Sequence, residues 1–187
     1  MPSPPSAKVL KPSLHEYAIA LAAQGEFESS LPNIQEAVEI RRQLAAADAP
    51  TSEPALSASL YEFGWVLSNL GKSKDAIPPT REGVDILLRL TQADGAAYAP
   101  RLALSLYDLG KRNWEVGNQE EALAAMQDAA ELLRGLAEND PAKHEPLLVS
   151  ILDTRSGLLF KTGLVTEAEL VANEVQAIRA NRPDLHK

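Results

Sequence analysis

Apolar residues between Pro100 and Val116 fall at Leu102, Leu106, Leu109 and Val116, mostly three or four positions apart with polar residues between them. That period predicts an amphipathic helix, helix A, opened by a proline suited to a first turn. Gly117-Asn118 interrupts the pattern, and Glu120 to Ala137 resumes it with Ala122, Leu123, Met126, Ala129, Ala130, Leu133 and Leu136. Its start is acidic and Arg134 stands near its end, the charge order a helix dipole favours, so this is helix B. A short Asp-Pro linker leads into the next helix A. The unit is a helical hairpin, and no segment alternates as a strand would.

This hairpin recurs. Gly25, Gly71, Gly117 and Gly163 are spaced by 46 residues, so four periods fill nearly all of the 187 residues. Eleven residues before each glycine stands Leu14, Leu60, Leu106 or Leu152, and five after stand Ser30, Ala76, Ala122 and Ala168. Fifteen after come Ile40, Ile86, Leu132 and Ile178, while Asp48, Asp94 and Asp140 recur 23 after and Pro54, Pro100 and Pro146 recur 29 after. A repeat with both small and large apolar positions predicts a stack of hairpins that bury one continuous core. The expected organisation is a flexible segment at 1–10, a single repeat domain at 11–182 divided at about 11–50, 51–96, 97–142 and 143–182, and a tail at 183–187.

Composition agrees with helices packed through small and aliphatic side chains: 29 alanines and 28 leucines, but only 5% aromatic residues. The longest apolar run, Tyr17 to Ala23, is seven residues, far short of the roughly 20 needed to cross a bilayer. The N-terminus does not read as a secretory signal, there is no cysteine and no Asn-x-Ser/Thr acceptor, and a cytoplasmic protein without membrane association is expected. A net charge of −8 with no basic run argues against nucleic acid as a partner.

The recurring positions resemble the tetratricopeptide repeat, a helix-turn-helix unit of 34 residues. In the second period Leu60, Phe63-Gly64, Leu67, Gly71, Ala76 and Gly83 match its signature; in the third, Leu106, Leu109-Gly110, Gly117, Ala122 and Ala129 do. The first period has Ala18 and Ser30 at two of these places, and the fourth has Arg155-Ser156 and Val175. The longer spacing looks like the kinesin light chain type of array, which implies an all-α fold, an α-solenoid wound as a right-handed superhelix, with longer helices than the standard unit. Pro32 and Pro78-Pro79, in the second turn of helix B, predict a late start or a kink in those two helices.

No catalytic or metal constellation stands out. His15, His144 and His186 are scattered, with none of the i, i+4 spacing of a helical metal site. Gly71-Lys72-Ser73 lacks the rest of a phosphate-binding loop, since Val66 stands where a glycine is needed. Neither cofactor nor metal is expected, and the chain reads as non-enzymatic.

The resemblance implies where binding would occur. In tetratricopeptide arrays helix A lines the concave surface, through positions 13, 10, 6, 3 and 2 before each glycine. These project to Pro12, His15, Ile19, Ala22 and Ala23; to Ala58, Tyr61, Trp65, Ser68 and Asn69; to Leu104, Tyr107, Lys111, Trp114 and Glu115; and to Ser150, Asp153, Gly157, Phe160 and Lys161. Five of the nine aromatic residues, both tryptophans among them, fall on this surface. The expected partner-binding residues are therefore Tyr61, Trp65, Asn69, Tyr107, Lys111, Trp114, Glu115, Phe160 and Lys161, a set suited to a peptide or protein segment. The competing reading makes Tyr61, Trp65 and Tyr107 packing residues between adjacent helices A. The places held by lysines in the carboxylate clamp of co-chaperone members hold His15, Tyr61, Tyr107 and Asp153, so a chaperone tail is disfavoured. Two further alternatives are a self-associating or sensor segment of a larger signalling protein, and a regulator responsive to a small ligand or peptide. For the first, the last helix B, from about Glu167 to Asn181, is expected to expose Leu170, Val171, Val175 and Ile178 to whatever follows, so that these side chains turn inward, form an uncapped face for homo-oligomerisation, or meet the rest of a longer parent protein.

Overall fold

The computed structural model describes residues 7–186. They form eight α-helices and a closing 3-10 turn, with no strand among the described residues: α1 (Ala7–Ala23), α2 (Phe27–Ala47), α3 (Ala49–Asn69), α4 (Ser73–Ala93), α5 (Gly95–Glu115), α6 (Gln119–Ala137), α7 (Pro141–Lys161), α8 (Val165–Asn181) and the turn Pro183–His186. Odd-numbered helices are helices A and even-numbered ones helices B. Residues 7–10 of the expected flexible segment open α1, and the rest of that segment lies outside the described residues. The chain divides into two compact units, 1–92 and 93–187.

A 21-residue helix A, a three-residue turn, a 21-residue helix B and one capping residue account for the period of 46. The turn glycines Gly25, Gly71, Gly117 and Gly163 all have φ between 70° and 89°, a left-handed conformation that costs a side-chain-bearing residue roughly 1–2 kcal/mol. Asp48, Asp94 and Asp140 are the residues immediately before each new helix A. Asp94 accepts from the Ala97 N–H at 3.0 Å and Asp140 from that of Lys143 at 3.2 Å, with Asp48 facing Thr51 at 3.5 Å. The recurring aspartate is thus an N-cap, and helix A begins five residues before the proline expected to open it.

Prolines behave differently from expectation in helix B as well. α2 and α4 run from Phe27 and Ser73 through Pro32 and Pro78-Pro79, so neither starts late. Pro54, Pro100 and Pro146 likewise occupy the sixth residue of α3, α5 and α7. Each proline forfeits one bond, to the carbonyl four residues earlier. Those carbonyls belong to Glu28, Pro50, Lys74, Asp75, Ala96 and Ala142, all exposed. Water can satisfy them, which holds the cost below that of an interior proline.

In unit 1, α1 packs on α2 and α2 on α3. Ile34 of α2 meets Ala18 and Ala22 of α1 and Val66 of α3, and Val38 meets Leu56, Leu60 and Ile86. Burying side chains such as Ile34 and Leu60 stabilises by about 2–3 kcal/mol each. In unit 2, α5 packs on α6, α6 on α7 and α7 on α8. Gly110 is essential to the first of these crossings: a Cβ there would stand 2.8 Å from Met126 Cγ and 3.0 Å from the Ala122 carbonyl.

The two periods that depart from the signature repair the same crossing with serine. Ser30 Oγ donates to the Ala18 carbonyl at 2.7 Å, and Ser156 Oγ donates to the Ala168 carbonyl at 3.0 Å. Between successive helices B, Arg42 clasps Glu82 in unit 1 at 3.0 and 2.5 Å, and Arg134 clasps Glu174 in unit 2 at 2.6 and 2.8 Å. The two pairs are related by two full periods, and bonding to glutamate raises both arginine pKa values above the ordinary guanidinium range.

Of the outcomes open to α8, its apolar residues largely turn inward. Val171 and Val175 turn inward and are buried, Ile178 is half-buried, and Leu170 is 66% exposed. The stripe by which α2 seats the following helix A is Leu31, Ile34 and Val38, and its equivalents in α8 are Glu169, Ala172 and Gln176. Arg179 of α8 also engages the closing turn, donating to the Leu185 carbonyl at 3.2 Å and pairing with Asp153 at 2.6 Å. Its counterpart Arg41 donates in the same manner to the Ala55 carbonyl of α3 at 2.8 Å, so the closing turn supplies the carbonyl that a following helix A would.

Candidate functional site

The projected helix A positions are partly exposed and partly packed, and Ala22 is buried in the cluster around Ile34. In unit 1, α1 and α3 present His15, Ile19, Tyr61, Trp65 and Asn69; Ile19 and Asn69 are exposed, whereas His15, Tyr61 and Trp65 are half-buried. The Pro12 side chain lies outside the described residues. Trp65 meets Phe27 edge to face, with centroids 5.3 Å apart and planes at 76°, and it packs against the cluster around Ile34. Such a T-shaped pair adds about 0.5–1.5 kcal/mol beyond area burial. Asn69 donates to its own helix, to the Trp65 carbonyl at 2.9 Å.

His15 sits in a polar seam. Its Nδ1 lies 3.1 Å from Ser59 Oγ, to which Arg41 Nη1 also reaches at 2.5 Å. Burial, then the Arg41 charge, pulls the His15 pKa down to about 4, so the imidazole is neutral at pH 7. Burial also lowers the Arg41 pKa, with Glu16 opposing it. These side chains join α1, α2 and α3 instead of presenting a free donor.

In unit 2 the face carries more exposed charge and aromatic surface. Tyr107 of α5 hydrogen-bonds Thr154 of α7 through its hydroxyl at 2.9 Å. The Lys111 ammonium lies 4.7 Å from the Tyr107 ring centroid and 2.6 Å from Asp108, a cation–π contact that is worth about 0.5–1 kcal/mol at an exposed site. Trp114 is half-buried, Glu115 and Lys161 are exposed, and Phe160 is 49% exposed. Toward the other end of α7, Ser150, Asp153 and Thr154 line a cleft of about 380 Å³ with Arg179, Asp184 and Leu185. Thr154 and Arg179 were not projected; Arg179 could have been found because it shares its repeat position with Arg41.

Among the described residues no group of three or more His, Cys, Asp or Glu side chains could hold a metal ion, and no helix is long and apolar enough to cross a membrane. No protein-family model and no curated protein matches the chain in sequence. Its structure is similar to that of the apo form of RapI, with a TM-score of 0.75 at 12% identity over 96% of this chain. It is similar also to BtubC from P. vanneervenii, with a TM-score of 0.76 at 16% identity, covering 96% of this chain and 67% of that one. The fold is a tetratricopeptide-like solenoid. A third tetratricopeptide-like match is a Rap protein in complex with Competence and Sporulation Factor, with a TM-score of 0.64 at 14% identity over 89% of this chain. The chain spans 59% of the RapI chain and 42% of that Rap chain.

Proposed function

We propose that the chain is a non-enzymatic interaction scaffold that binds a peptide or protein segment along its helix A faces, with the unit 2 face as the principal contact. One observation carries this reading: α5 and α7 offer Trp114 and a 49% exposed Phe160 beside Glu115 and Lys161, with Lys111 over Tyr107. Large rigid rings give contact area with few rotors to freeze, and the flanking charges supply orientation. In unit 1, Tyr61, Trp65 and Asn69 form a smaller counterpart, since Trp65 spends one edge on Phe27. The Rap protein of similar fold, which holds a factor, supports the class of function. The test compares partners captured from lysate by the wild-type chain and by the Trp114→Ala/Phe160→Ala variant, both shown to be folded by circular dichroism. Proteins lost with the variant and retained by a Trp65→Ala variant fit the reading; capture unchanged by the double substitution overturns it.

A second reading, self-association, is favoured by the start of α8, where Leu164, Val165 and Leu170 are 48%, 45% and 66% exposed. Val165 occupies the repeat position of Phe27, which packs on the next helix A. Light scattering that finds a dimer in the wild type and a monomer in Leu170→Ser would establish it, and a monomer at all concentrations would remove it.

A further inference from the structure

Unit 1 has a second groove that shares no residue with the helix A face. It runs along the outer side of α2 and encloses about 420 Å³, with Pro32, Val38 and Phe63 as its apolar floor and Glu36 and Glu39 on its rim. Arg42 closes one end, where its Nε and Nη2 are already bound to Glu82 at 3.0 and 2.5 Å. The groove therefore combines apolar surface with two carboxylates, and its guanidinium is bound to Glu82 and lies 3.7 Å from Glu39.

Unit 2 shows that this is not a by-product of the repeat. Two periods on, the equivalents of Pro32, Glu36, Val38, Glu39 and Phe63 are Ala124, Asp128, Ala130, Glu131 and Arg155. The floor there is a buried guanidinium paired with Glu167 at 2.5 Å, which leaves no apolar seat.

We propose that the α2 groove binds a basic, apolar peptide segment, one that sets a leucine or phenylalanine side chain on Phe63 and Pro32 and a lysine or arginine against Glu36 and Glu39. Charge complementarity selects this occupant, because the rim sets the Glu36 and Glu39 carboxylates against a single guanidinium that Glu82 already binds. The chain's net charge of −8 favours approach of a cationic segment over an anionic one.

The test uses the full chain and a fluorescein-labelled hexapeptide, Lys-Leu-Phe-Lys-Leu-Lys, followed by fluorescence anisotropy and by amide chemical shifts. Saturable binding is expected, with shifts confined to residues 32–42 and Phe63. Glu36→Gln/Glu39→Gln, both exposed, should weaken it about tenfold, whereas Glu120→Gln/Glu121→Gln, which removes the same charge from α6, should leave it unchanged. Equal weakening by the two double variants, or shifts that map outside the groove, overturns the proposal. So does equal binding of the peptide with glutamates in place of its lysines. Loss of this site leaves the helix A reading standing, since Trp114 and Phe160 lie in the other unit.

Discussion

Units 1 and 2 are built on one frame and filled differently. Both close their hairpins with left-handed glycines, cap helix A with aspartate and clasp successive helices B with an arginine–glutamate pair. At the position ten residues before the glycine, unit 1 has a neutral His15 held by Ser59, and unit 2 has Tyr107 held by Thr154. At the position eight before, unit 1 has Phe63 on an apolar groove and unit 2 has a buried Arg155. Positions that fix backbone geometry are kept because few residue types satisfy them, whereas positions between helices tolerate any pair that fills the space and satisfies its polar atoms. Identity of function between the units should accordingly not be expected, and surface variants in one should leave the other's contacts intact.

The sharpest break between them is steric. Gly110→Ala forces a Cβ to 2.8 Å from Met126 and 3.0 Å from a carbonyl, whereas at Gly83 the nearest atom is Leu60 Cβ at 3.4 Å. Gly110→Ala should destabilise by about 3 kcal/mol, a drop of roughly 10 °C in Tm. Gly83→Ala should cost under about 1 kcal/mol, because helix propensity offsets much of the contact. Calorimetry of both variants tests this, and hydrogen exchange should show the Gly110 variant opening first in α5 and α6. Equal losses would mean that the two crossings are equally tight.

Arg155 comes next. Its side chain is 8% exposed, Glu167 is 47% exposed, and the Arg155 Nε has no hydrogen-bond partner. A buried charge with an incomplete partner set often stabilises less than an apolar residue of similar size. Arg155→Leu, which places there the residue type of Leu109, should raise stability by about 1 kcal/mol in denaturant melts. A loss of that size would show that the pair is net favourable.

The repeat, the turn glycines and the small residues at the crossings were legible because each answers a constraint that one or two residue types can meet. Asp94 and Pro100 were legible as a pattern but misread in role, since the proline pointed to a helix start that the aspartate cap places five residues earlier. The prolines of α2 and α4 do not delay the helix starts, because a lost bond is costly only when its carbonyl is buried, and sequence does not show burial. Of the site, Phe160 and Lys161 stand at exposed positions as the projection has them, whereas the bond of Tyr107 to Thr154 of the next helix A is a contact of the kind the competing packing reading expects, and the edge that Trp65 turns to Phe27 is in neither. Those contacts depend on how neighbouring helices are set, which a single helix's period does not carry.

A pH difference should also separate the units. The His15 pKa is lowered to about 4 in the fold from an ordinary 6.5, so between those values the unfolded chain binds more protons, and stability falls as pH drops through that window. The half-buried setting reduces the effect to about 1 kcal/mol, well below full linkage. Melts of wild type and His15→Asn at pH 7 and pH 5 should differ in slope by that amount. Hydrogen exchange should place the loss in α1 to α3, since the equivalent position in unit 2 holds Tyr107 and not a histidine.

The smallest effect expected is at the clasps. Arg42→Gln and Arg134→Gln each remove a two-point pair, but both arginine side chains are more than a third exposed, at 41% and 35%. Solvent screening should hold each loss to about 0.5 kcal/mol, and the two losses should be alike if the clasp is part of the common frame. They should also diminish together at 1 M salt, where the Debye length falls to about 3 Å. A loss at Arg42 alone would instead tie that clasp to the α2 groove it closes. The same variant should then release Glu82 to the groove rim and strengthen binding of the basic hexapeptide, while Arg134→Gln, facing a floor occupied by Arg155, leaves that binding unchanged.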